Sequence, residues 1–137
     1  MIFVDTGAWI ALTDASDQYH LKARSIYTQL KQERPRFLTT EYVIDETVTR
    51  LRYDAGHATA LRCLDLLFQA EHVGILRIVY TDKALLEQAL AIFRQYDTAV
   101  LSLTDCVSFA VCQREHIHRA FSFDRHFSMM GLSLCVV

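Results

Sequence analysis

The sequence predicts an α/β fold, with a mainly parallel sheet covered by helices on both faces. Short apolar runs alternate with longer amphipathic segments, the pattern of strand–helix–strand crossovers. Only four Gly and one Pro occur in 137 residues, which implies short loops and many helices. At 52% hydrophobic and 22% charged, the chain has the balance of a globular protein and the length of a single domain over 1–137.

Ile2 to Asp5 read as the first strand, with a short helical turn through Ala8–Leu12. A helix follows from Asp17 as N-cap, with Leu21, Ile26, Tyr27 and Leu30 on its apolar face, and Pro35 stops it. Residues 36–40 form the second strand. Thr40 caps a helix that Gly56 ends, with Ile44, Val48 and Leu51 as its core stripe. Residues 57–70 form a further helix, apolar at Leu61, Leu64, Leu67 and Phe68. The third strand lies in 74–80, and Thr81 caps the helix over 82–96. Ser102 or Thr104 caps a nearly all-apolar helix over 105–115. Residues 119–123 and 132–137 supply the last two strands.

A net charge of −2 gives no global basic field for nucleic acid, though local patches remain compatible with it. Cys63, Cys106, Cys112 and Cys135 form no CxxC pair and sit in apolar surroundings, as buried free thiols of a reducing compartment do. No basic region precedes the first apolar run, and Asp5 interrupts it, so a signal peptide is not expected. No apolar run reaches the ~20 residues of a membrane span. The expected location is the cytoplasm.

Four acids stand out by position. Asp5 ends the first strand and Asp124 the fourth, and parallel strands share one carboxyl edge where ligands bind. Asp105, in the first turn of its helix, starts from that edge. Glu46 lies one to two turns into the helix after the second strand, on a face away from its core stripe. Each alone has an ordinary use as a turn, cap or surface residue. Together they form a cluster whose repulsion calls for a cation. Hard oxygen ligands suit Mg²⁺ or Mn²⁺, which neutralise phosphate charge and activate water for in-line attack. That chemistry is phosphodiester hydrolysis without a side-chain nucleophile.

At the segments "VDTGAWIAL", "TTEYVIDETVTRL", "LSLTDCVSFAV" and "AFSFDRHF" the chain resembles the PIN-domain ribonucleases, especially the small VapC-type toxins of bacterial toxin–antitoxin pairs. The segments follow the family's order and span almost the whole chain. The resemblance implies a three-layer α/β/α sandwich and a metal-dependent endoribonuclease with Asp5, Glu46, Asp105 and Asp124 as its acidic quartet. Asp5 and Asp105 would be the main metal ligands, with Glu46 and Asp124 acting through water or a second metal. Thr6 and Ser122 match the supporting hydroxyl positions. The resemblance further implies an RNA substrate, a small antitoxin that occupies the acidic groove, and a homodimer. Asp45 adjoins Glu46 but projects to another flank, and Glu46 fits the family pattern better. Arg50 and Arg125, near the proposed ligands, are the candidates for RNA phosphate.

Rival chemistries fit less well. Gly7 stands where a haloacid-dehalogenase-type phosphatase needs a second Asp, and no GxxxxGK loop occurs. His20, His57, His72, His116, His118 and His126 match no zinc spacing and read as surface or capping residues. A housekeeping RNA-processing nuclease and a non-catalytic RNA- or protein-binding scaffold are the alternatives within the same fold.

Overall fold

The structure is a computed structural model that describes residues 1–136. Five strands, β1 (Ile2–Val4), β2 (Phe37–Thr40), β3 (Leu76–Val79), β4 (Arg119–Phe121) and β5 (Ser133–Leu134), form one sheet in the order β3-β2-β1-β4-β5. Every neighbouring pair is parallel. The connections are helical: α1 (Thr6–Thr13) and α2 (His20–Gln32), α3 (Glu41–Asp54) and α4 (His57–His72), α5 (Lys83–Gln95) and α6 (Leu103–Arg114), and the short α7 (His126–Met129).

The two-residue period of a strand divides the core between the faces of the sheet. Ile2 and Val4 join Ala8, Ile26, Leu51 and Leu67 on one side. Phe3 joins Leu85, Ile92, Phe109 and Phe127 on the other. Helices thus cover both faces, and the expected α/β/α layering is present. Helix α6 is buried from Cys106 to Cys112 almost all round, as its apolar sequence requires. All four cysteines are free and buried, as expected. Burial pushes the Cys112 thiol up to about 12.

Chain order sets the position of the cleft. From β1 the chain steps outward through β2 to β3, then returns to the other side of β1 for β4 and steps outward to β5. The order reverses between β1 and β4, and a crevice opens beyond the carboxyl ends of strands at such a point. Val4 is level with Phe121 across this pair. Asp5 and Ser122 are therefore the first residues past the sheet.

Several local expectations are corrected. Helix α2 starts at His20, not after Asp17; the Asp17 carboxylate instead accepts a hydrogen bond from the Tyr19 amide at 3.0 Å within a turn. Its buried stripe is Ala23, Ile26 and Leu30, and Leu21, on the opposite side, is 76% exposed. In α3 the stripe is Val43, Thr47 and Leu51, one position away from the expected Ile44 and Val48, which flank it half-buried. In α4 the small side chains of Ala60 and Cys63 are buried with Leu67, while Leu61 and Phe68 are exposed. Asp82, not Thr81, caps α5; the Thr81 amide donates to the Glu41 carboxylate. The turn at Ala8–Leu12 is a full helix from Thr6. Val137, the end of the expected last strand, lies outside the described residues. No helix among the described residues is long and apolar enough to cross a membrane.

Candidate active site

Asp5 occupies the N-cap position of α1 in an extended conformation, yet its side chain makes no capping bond. An N-cap carboxylate ordinarily bonds the amides of its own helix. Here Oδ2 accepts a hydrogen bond from Ser122 Oγ at 3.0 Å, across the β1–β4 switch point. The Ser122 hydroxyl in turn accepts from the Asp124 amide at 3.0 Å. A single buried serine thus ties the ends of two neighbouring strands together and fixes both acids.

Asp105 is held by a reciprocal capping box at the start of α6. Its Oδ2 accepts from the Ser102 amide at 2.9 Å, and its own amide donates to Ser102 Oγ at 3.0 Å. Because α6 passes through the core, its first turn can sit only at the rim of the sheet. Glu46 reaches the same place from α3, whose start is fixed by Thr40 Oγ1 accepting from the Val43 amide.

Asp5, Glu46, Asp105 and Asp124 all line one cleft of ≈ 320 Å³, together with Thr6, Gly7, Arg50, Ser102 and Phe123. Asp45 is exposed outside it, where the Thr49 hydroxyl lies 3.5 Å from its carboxylate. The expected cluster therefore forms from four remote segments. Arg50 is at the cleft wall, and no ion pair joins it to Glu46 among the described residues. Arg125 is exposed and is not among the residues that line the cleft; it immediately precedes α7.

The electrostatics are those of an under-neutralised acidic site. Asp5 is only 7% exposed. Burial pushes its carboxyl up to about 7, against the pull of the Thr6 backbone and the Ser122 hydroxyl, and the Asp105 and Asp124 charges add to the rise. Asp105 is raised for the same first reason, burial, with Asp124 and Glu46 contributing. Like charges that share a desolvated space favour proton or cation binding.

Two polar atoms here are buried and without a hydrogen-bond partner: Thr6 Oγ1 and His126 Nδ1. Asp105, Asp124 and His126 offer ligand atoms that all lie within 4.8 Å of one another. This donor set, rich in carboxylate oxygen, fits a divalent cation such as Mg²⁺ or Mn²⁺. His126 was not among the residues that sequence reasoning brought to the site. Its only signal was its position two residues after an acid at a strand end.

A model of the PIN domain matches residues 2–131. The 23S rRNA-specific endonuclease VapC20 of Mycobacterium tuberculosis is 32% identical over 131 residues, 96% of this chain and 95% of the relative. A VapC ribonuclease of Archaeoglobus fulgidus is 28% identical over 129 residues, covering 92% of this chain and 78% of the relative. The crystal structure of Mycobacterium tuberculosis VapC20, described as a sarcin–ricin loop cleaving toxin, superposes with a TM-score of 0.85 at 31% identity, over 97% of each chain. The chain belongs to the PIN-domain family, in its branch of VapC endoribonuclease toxins.

Proposed function

We propose that the cleft at the β1–β4 switch point is the catalytic centre of a Mg²⁺- or Mn²⁺-dependent endoribonuclease. The observation that supports this best is the gathering of four carboxylates from remote segments around a buried, under-neutralised Asp5. In this reading Asp5 and Asp105 are the main metal ligands, and Glu46 and Asp124 act through water or a second cation. When bound, the cation neutralises phosphate charge and supplies an activated water. The protein's own part is positioning. Ser122 holds Asp5 and the Asp124 backbone, the Ser102 capping box holds Asp105, and Thr6, whose buried hydroxyl has no partner, lines the cleft. Arg50, the cation of the cleft wall, meets the RNA phosphate as a point of anchorage.

The substrate we favour is a structured ribosomal RNA loop of the sarcin–ricin type, the target named for the VapC20 relative. The single domain of 1–137 acts as the toxin of a pair in the cytoplasm, as a homodimer, and is restrained by an antitoxin that covers the acidic cleft. Purified protein freed of antitoxin would be incubated with ribosomal RNA and with an isolated sarcin–ricin hairpin, in Mg²⁺, Mn²⁺ or EDTA. Cation-dependent cutting at one site, abolished in Asp105→Asn, is expected. Cutting that ignores both EDTA and Asp105→Asn would contradict the mechanism. Binding without cutting would identify a non-catalytic scaffold instead.

A further inference from the structure

The pair His126–Asp124 has a geometry that an ordinary hydrogen bond does not account for. Nδ1 of His126 stands 2.9 Å from Oδ1 of Asp124. At that separation a ring N–H would normally donate to the carboxylate. The ring is out of line for it, and Nδ1 is buried with no hydrogen-bond partner. The carboxylate oxygen is already engaged by the His126 backbone amide, also at 2.9 Å. The turn Asp124–His126 therefore brings the imidazole Nδ1 and a carboxylate oxygen side by side. A proton on Nδ1 makes the contact an ion pair, whereas a neutral ring leaves two lone pairs that a shared cation would satisfy.

The distance itself is informative. Adjacent ligands of an octahedral ion with bonds of ~2.1 Å lie ~3.0 Å apart. The His126–Asp124 separation matches that of two neighbouring ligands of one ion, and one ligand atom each from Asp105, Asp124 and His126 lie within 4.8 Å of one another. A second observation concerns the cleft that Asp105 and Asp124 line. Thr6 is 1% exposed, and its hydroxyl lacks a partner while the residue lines the cleft.

We propose that His126 Nδ1 is a nitrogen ligand of the divalent cation held at Asp105, with Asp124 bound to it directly and not through water, which tilts this site from Mg²⁺ toward Mn²⁺ and later transition ions. The inference rests on the cation-dependent reading above and adds a residue to it. Its chemical basis is ligand type. Oxygen donors alone suit Mg²⁺, Ca²⁺ and Mn²⁺, whereas imidazole favours transition ions, in the order of the Irving–Williams series.

The test is pulsed electron paramagnetic resonance of the Mn²⁺-loaded, RNA-free wild-type protein, with Mn²⁺ and Mg²⁺ affinities measured by titration. Expected is the coupling of one directly bound nitrogen, lost in His126→Ala and in the bulkier His126→Gln. The same variants should weaken Mn²⁺ by at least ~10-fold and Mg²⁺ by less. Mn²⁺ bound through oxygen alone in the wild type would overturn the inference and leave the carboxylate site standing. A nitrogen coupling that survives both variants would overturn it too, by assigning another histidine. No Mn²⁺ binding in the wild type would overturn both this inference and the cation-dependent reading. The wild-type spectrum decides the matter even where a variant fails to fold.

Discussion

The two ends of β4 handle carboxylates in opposite ways. At its start, Arg119 grips Glu33 at 2.8 Å on the surface, and the hydrogen bond from Arg119 holds the Glu33 carboxyl below its usual range. Past its far end, Ser122 gives Asp5 a neutral hydroxyl, and burial drives that carboxyl up to about 7. One acid is neutralised by the protein itself. The other is desolvated, lines a cleft with three further acids, and has no ion-pair partner among the described residues. A fold gains nothing in stability from the second arrangement, and such costs collect at functional sites. In the proposed mechanism the positive charge missing at the cleft comes from a bound cation.

Substitutions at the two ends should differ most in activity. Asp5→Asn or Asp105→Asn should lower the RNA cleavage rate by a factor on the order of 10²–10³ or more, as loss of an electrostatic stabiliser does. Glu33→Gln should leave cleavage unchanged, since its partner is an exposed arginine. An equal loss at both ends, measured by single-turnover cleavage, would break the comparison.

Stability should move in the other direction. In the cation-free protein, Asp5→Asn should stabilise at pH 8 by on the order of a few kcal/mol, read by denaturant unfolding. The sign follows from the raised carboxyl. Between its ordinary 3.8 and about 7 the folded state holds a proton that the unfolded state has released. Wild-type stability therefore falls as pH rises across that window, and Asp5→Asn should flatten the fall. A profile that rises with pH there, with Asp5 intact, would contradict the account of its burial.

Ser122→Ala tests the joint between the strands. It removes the donor to Asp5 and the acceptor for the Asp124 amide. A loss of ~10–100-fold in cation affinity is expected, with a stability cost of about 1–2 kcal/mol. The smallest effect belongs to Arg50. Arg50→Ala should raise KM and reduce the slope of log affinity against log salt by about one, with little change in kcat.

The acids were legible in the sequence because strand ends and helix starts carry strong signals. An apolar run stopping at Asp5, and Ser102 followed three residues later by Asp105, fix both residues at one edge of a parallel sheet. Rotation about a helix axis was less legible. The stripe of α3 lies one position from the expected one, yet Glu46 still faces the cleft, because a shift of ~100° leaves it off the core. In α4 the apolar pattern offered Leu61 and Phe68 as readily as Ala60 and Cys63, and only tertiary packing decides between such faces. His126 was missed because its place at the site depends on a tight turn and on its ring orientation, neither of which has a periodic signature.

If Asp5 and its neighbours form a cation site short of positive charge, Mn²⁺ binding and removal of the Asp5 charge relieve the same repulsion. Thermal unfolding at pH 8 of the wild type and Asp5→Asn, each with and without Mn²⁺, tests this most directly. The account predicts that Mn²⁺ raises the wild-type Tm, that Asp5→Asn raises it without Mn²⁺, and that the two gains do not add. A wild-type Tm indifferent to Mn²⁺, or gains that sum in full, would contradict it.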